Sequence, residues 1–118
     1  MPETVLDPNV LNNLRQLTPP GEPDVLAQVL RLFLADAPAR INKLRQAWTS
    51  GDAKGVQQAA HSLKGSAGNV GALALLAVCR ELDDKARSGD LGGIEPLTTA
   101  LDREFSRVEA EIARVLAS

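Results

Sequence analysis

The sequence predicts an all-α chain folded as an antiparallel up-down four-helix bundle with a short extra N-terminal helix. Three observations carry this expectation. Apolar residues recur at steps of three and four along most of the chain. β-branched and aromatic residues never cluster in alternation, so no strand is expected. The breaks between periodic stretches are short, as between antiparallel neighbours in a bundle. The 118 residues fit one domain spanning 1–118. That length supports a core without disulfides or a structural metal.

The first helix is expected over about 7–18, with Asp7 as cap and Pro8 in the first turn. Thr18-Pro19-Pro20-Gly21 breaks it. A long second helix covers about 23–49, and its apolar stripe (Val25, Leu26, Val29, Leu30, Phe33, Leu34, Ile41, Leu44, Trp48) spans nearly half the circumference. Pro38 inside it removes a backbone donor, which predicts a kink. Two helices meeting near Ala37 is the competing reading. Ser50-Gly51-Asp52 closes the element, and Asp52 caps a third helix over about 53–69. Asn69-Val70-Gly71 ends that helix, and a fourth follows over about 72–87 with an inward stripe of Leu75, Leu76, Cys79, Leu82 and Ala86. Ser88-Gly89-Asp90 turns the chain, and Gly92-Gly93 loosens the connection to the last helix. That helix covers about 94–116, where Ile94, Leu97, Leu101, Phe105, Val108, Ile112 and Val115 step by three and four without a miss. The two similar Ser-Gly-Asp turns end helices and imply no repeat.

Composition excludes several functions. Aromatics are 3% with no Tyr, which leaves no platform for stacking bases. A net charge of −2 is wrong for a general binder of phosphate backbones. No apolar run approaches the ~18 residues of a membrane span. Met1-Pro2-Glu3-Thr4 lacks the basic and apolar regions of a signal peptide. One cysteine cannot close an internal disulfide, and Cys79 on the inward stripe reads as a small core residue. A cytoplasmic monomer is the resulting expectation. Trp48 is expected to pack at a bundle end.

His61 is the single histidine. At about 100° per residue, Val56, Ala59, Ala60, Leu63, Ala67 and Val70 share one face of its helix. His61, Lys64, Gly65 and Gly68 fall on the other. Each glycine in a helix costs about 1 kcal/mol relative to Ala, so two of them beside an outward histidine imply that something approaches closely. A neutral imidazole nitrogen is a competent nucleophile near pH 7. Lys64, one turn on, can offset negative charge on a group attached to His61. Phosphoryl transfer depends mainly on positioning and charge stabilisation, so a histidine with a nearby lysine suffices as an acceptor. A hydrolase would also need an orienting carboxylate and an oxyanion site. No nucleotide-binding loop is present, because Lys64-Gly65-Ser66 has the wrong order and preceding residues.

The run His61-Ser62-Leu63-Lys64-Gly65-Ser66, continued through Asn69-Val70-Gly71-Ala72, resembles the signature of histidine-containing phosphotransfer (HPt) domains. These are relay modules of multistep two-component signalling. The motif occupies about 12 residues, while helix order and spacing resemble the family over essentially the whole chain. The resemblance implies that His61 accepts a phosphoryl group from a receiver-domain aspartate, through Nε2, and passes it to another receiver. It implies that Lys64 and Ser66 stabilise the phosphoryl group, and that Gly65 and Gly68 clear a path for the partner. Partners would be response-regulator receiver domains or a hybrid sensor histidine kinase. The chain would hold no cofactor or metal of its own, with Mg²⁺ on the receiver. Some members support the histidine with a glutamine on the following helix. This chain offers Glu81, Asp83 and Asp84 there, which read as a solvated face.

Part of the broad stripe on the second helix is a candidate docking patch, with Leu30 and Leu34 joined by Leu11 and Leu14 of the first helix. The competing function is a helical docking module that binds a receiver or kinase without chemistry. Met1 and short flanks point to a stand-alone protein, with the histidine domain of a larger kinase as the alternative.

Overall fold

The computed structural model describes residues 4–117. Met1, Pro2 and Glu3, most of the segment read for a leader, lie outside the described residues, as does Ser118. Five helices follow one another: α1 (Pro8–Gln16), α2 (Val25–Thr49), α3 (Ala53–Asn69), α4 (Leu73–Arg87) and α5 (Glu95–Ala117). There is no strand among the described residues. α3 packs most extensively, against α4 and α2; α5 lies on α4 and touches α2, and α1 leans on α2.

Each of the first three helices starts where a short polar side chain can satisfy its free backbone donors. The Asp7 carboxylate accepts from the Asn9 N–H at 2.9 Å, with Pro8 in the first turn. Asp24 accepts from the Leu26 N–H at 3.0 Å, and the Thr18 hydroxyl accepts from the Val25 N–H at 2.9 Å. These caps move the start of α2 from the expected Pro23 to Val25. Asp52 accepts from the Gly55 N–H at 3.0 Å, as expected. α4 lacks a side-chain cap; the Ala72 N–H instead returns to the Ala67 carbonyl at 2.9 Å, making the α3–α4 corner tight.

Pro38 lies within an uninterrupted α2, which overturns the two-helix reading. Its ring faces solvent, where the loss of one backbone donor is tolerated. The core runs the length of the bundle through fully buried Leu30, Leu44, Leu63, Leu75, Leu82 and Ile112. Each such side chain contributes about 1.5–3 kcal/mol by leaving water. The rings of Phe33 and Phe105 meet at 6.0 Å and 46°, joining α2 to α5. Trp48 is half-buried against this core. Cys79 is fully buried, and burial pushes its thiol up to about 12 despite the opposing Lys64 charge. It is a core residue, as its stripe position implied.

Two glycines are required by packing. Gly71 has φ +72°, and a Cβ there would meet the Asp7 nitrogen and the Val10 Cβ at 3.0 Å. Its carbonyl accepts from the Asp7 N–H at 2.8 Å, pinning the start of α1 to the α3–α4 corner. Gly55 lies where α3 leaves the end of α2. A Cβ would stand 2.9 Å from the Ala47 Cβ and 2.6 Å from Asp52 Oδ2, the residue that caps α3. Helix propensity alone favours Gly55→Ala by about 1 kcal/mol. The clash and the disturbed cap should reverse the sign, lowering Tm by several degrees in a thermal melt. A rise in Tm would show that the α2–α3 corner relaxes freely.

Candidate functional site

α3 buries Val56, Ala60, Leu63 and Ala67 completely, with Val70 at its end, and this turns His61 outward. The imidazole is 63% exposed. Gly65 and Gly68 are exposed beside it, and a Cβ at either would meet nothing within 4 Å. Nothing within the fold therefore requires glycine at these two positions. The four residues that the helical wheel placed together are together: His61, Lys64, Gly65 and Gly68 form the outer face of α3.

Beneath that face lies a carboxylate that its charge, and not the helical pattern, assigned to the solvated face. Glu81 and Asp84 are exposed, as expected of a solvated face. Asp83 is 1% exposed. Its Oδ2 accepts from Lys64 Nζ at 2.8 Å, and its Oδ1 accepts from Arg87 Nε at 2.9 Å and Gln57 Nε2 at 3.1 Å. His61 Nδ1 stands 3.8 Å from the same Oδ2. Burial pushes the Asp83 carboxyl up, but hydrogen bonds from Lys64, Gln57 and Arg87, with the Lys64 charge, outweigh it and hold the pKa down at about 2. A buried carboxylate is tolerable only when paired this way. The signal was present in the sequence. Asp83 is four residues after Cys79 and three before Ala86, on the inward stripe of α4. Gln57 is one turn before His61, and Arg87 one turn after Asp83.

The other expected positions divide. Lys64 is beside the histidine but already engaged by Asp83. Ser66 is not brought to His61. It lies about 140° further round α3 and lines the α2–α3 groove with Leu32, Asp36 and Arg40. Leu30 is 0% exposed and Leu11 is buried, so both belong to the core and neither can form a docking patch. The stripe on α2 is broad because it faces several neighbours. Leu14 and Leu34 are half-buried against the core. The exposed large apolar residue on α2 is Leu32, 65% exposed, in the groove with Val29, Ser66 and Asn69. It falls outside the periodic stripe, so periodicity could not single it out.

Among the described residues no group of three His, Cys, Asp or Glu side chains could hold a metal ion. No helix among them is long and apolar enough to cross a membrane.

This fold has known counterparts. The sequence model of the Hpt domain matches residues 28–115. The crystal structure of histidine-containing phosphotransfer protein B (HptB) from Pseudomonas aeruginosa PAO1 is similar at a TM-score of 0.87 and 32% identity, over 96% of this chain and 95% of that one. No curated protein matches the chain. The chain belongs to the Hpt domain family. It is a phosphotransfer protein, an intermediate of a phosphorelay in two-component signalling, and a phosphoryl carrier without catalytic turnover of its own. Hpt domains work with receiver domains and kinases.

The Asp83 pairing makes stability pH-dependent with a defined sign. The folded carboxyl has a pKa below its unfolded value, so the contribution is fully present above about pH 4. It is lost as pH falls toward about 2, where Asp83 takes up a proton. Urea unfolding between pH 5 and pH 2 should show wild type losing stability more steeply than Asp83→Asn. Equal acid sensitivity of the two proteins would rule out Asp83 as a source of that slope.

Proposed function

We propose that His61 is the residue that carries the phosphoryl group, on Nε2. The observation behind this reading is the exposed imidazole on a face that the fold leaves bare at Gly65 and Gly68. The Nε2 lone pair attacks phosphorus as the O–P bond of a receiver's aspartyl phosphate breaks, and the bonding electrons return to the receiver carboxylate. The reverse step delivers the group to a second receiver. Lys64 steadies the phosphoryl oxygens with an N–H of its ammonium that Asp83 does not use, since the group has three donors and one suffices for Oδ2. Mg²⁺ sits on the receiver. The whole chain acts as one module, a cytoplasmic monomer that shows the same face in turn to response-regulator receivers or to the receiver of a hybrid sensor kinase. Docking draws on Gly65, Gly68 and the exposed Leu32.

The deciding experiment is transfer of labelled phosphoryl from a panel of phosphorylated receivers to wild type and to His61→Gln. Acid-labile, base-stable label should appear on wild type alone. A receiver that binds both proteins equally and labels neither would make the chain a docking module instead.

The glycines give a second test. Gly65→Ala meets open space on a helix and should raise stability by about 1 kcal/mol. Gly65→Leu should keep the helical CD spectrum yet slow transfer by about 10-fold or more, because small misplacements of a reacting atom cost rates of that order. Wild-type transfer by Gly65→Leu would remove the clearance role.

A further inference from the structure

The α2–α3 groove changes character along its length. At one end it is lined by Val29 and Leu32. At the other it opens to about 470 Å³ between Arg40, Lys43, Gln58 and Ser62. Arg40 lines both stretches, so they form one channel. Ser62 is the residue after His61, which brings the cationic stretch alongside the outer face of α3.

Neither cation is well paired there. Arg40 donates from Nη2 to Asp36 at 3.0 Å, but the two side chains are 38% and 54% exposed, and a pair so solvated is weak. Arg40 Nε is buried and donates to no acceptor among the described residues. A buried donor without a partner is unfavourable, so turning the guanidinium from Asp36 toward a better acceptor costs little. A carboxylate arriving side on takes Nε and an Nη together, the strongest arrangement open to an arginine. Lys43 is exposed and has no hydrogen bond or ion pair among the described residues. The carboxylate that lines this stretch, Asp52, is committed to the Gly55 N–H as the cap of α3. The stretch thus offers donors and positive charge that its own carboxylates do not match.

We propose that this groove orients the docking receiver: Arg40 and Lys43 take a carboxylate side chain of the receiver, while Leu32 packs on an apolar one. The inference rests on His61 being the phosphoryl carrier, which puts the receiver on this face. From Leu32 to Lys43 the helix rises about 16 Å, which sets the spacing of the two groups on the partner. A receiver with both groups at that spacing fits in one direction only. Turned end to end, it sets its carboxylate on Leu32 and its apolar group on two cations. Receivers without the carboxylate leave the two cations unmatched, so the chain selects among partners by charge as well as by shape. Charges at the rim of an interface act mainly on the rate of encounter and on its response to salt.

The test uses the receiver that labels wild type fastest, in its unphosphorylated form, and measures Kd and association rate at low and high salt. Wild type should lose affinity as salt rises. The double variant Arg40→Glu with Lys43→Glu should keep the helical CD spectrum and bind about 10-fold or more weakly at low salt, mainly through slower association. Its transfer rate at saturating receiver should stay at the wild-type value, because the reacting atoms are untouched. Reversing one carboxylate on the receiver to lysine should restore binding to the double variant and weaken binding to wild type. Wild-type affinity that is indifferent to salt overturns the proposal and needs no variant that folds. A folded double variant that binds like wild type overturns it too, as does a loss that no charge reversal on the receiver repairs. If sedimentation shows the chain alone as a dimer that the double variant dissolves, the groove belongs to a second copy and not to a receiver. If His61 takes no label while the double variant still loses affinity, the carrier reading fails and the groove stands.

Discussion

A carboxylate buried between two helices is the constraint on which the site depends. Asp83 lies under α3 with almost no exposure, and an unpaired charge there would be very costly. Three donors offset that cost: Gln57 and Lys64 from α3, and Arg87 from its own helix. Removing one partner from such a pair typically costs about 3–5 kcal/mol, because the remaining charge stays buried. The rotation of α3 against α4 is thereby restricted to one that keeps Gln57 and Lys64 over Asp83. Because His61 shares a face with those two residues, its position is set by the same contacts.

The arrangement also decides what Lys64 can do. A freely solvated lysine would be one more mobile surface charge with little directional effect. Here it is held beside the ring by a 2.8 Å contact. The pairing with Asp83 keeps the cation on the same carboxylate oxygen that the ring faces. The same network influences the interior, since the Lys64 charge opposes the rise that burial imposes on Cys79.

Glycine serves two opposite purposes on the same stretch of chain. Gly55 and Gly71 are needed by the fold, since a Cβ at either would strike a neighbouring element. Gly65 and Gly68 are surrounded by open space, and the fold would be more stable with alanine there. Stability given up at an exposed face, with a histidine beside it, is consistent with a surface shaped for something outside the molecule. Leu32 projects from α2 on the groove next to this face. Leu30, two residues earlier, points into the core.

The sequence by itself determined the fold class, the third helix to the residue, the outward histidine and its two bare neighbours. These follow from periodicity, caps and turns, which act over a few residues along one helix. It placed Cys79 and Leu82 inside for the same reason. The tertiary structure alone decided which donors meet Asp83, the engagement of Lys64, how far Leu11 and Leu30 are buried, and what lies opposite Ser66. Each of these depends on which side chains of another helix lie opposite. A helical wheel fixes the direction of a residue about its own axis, but only packing decides whether water, apolar groups or a matching charge waits there.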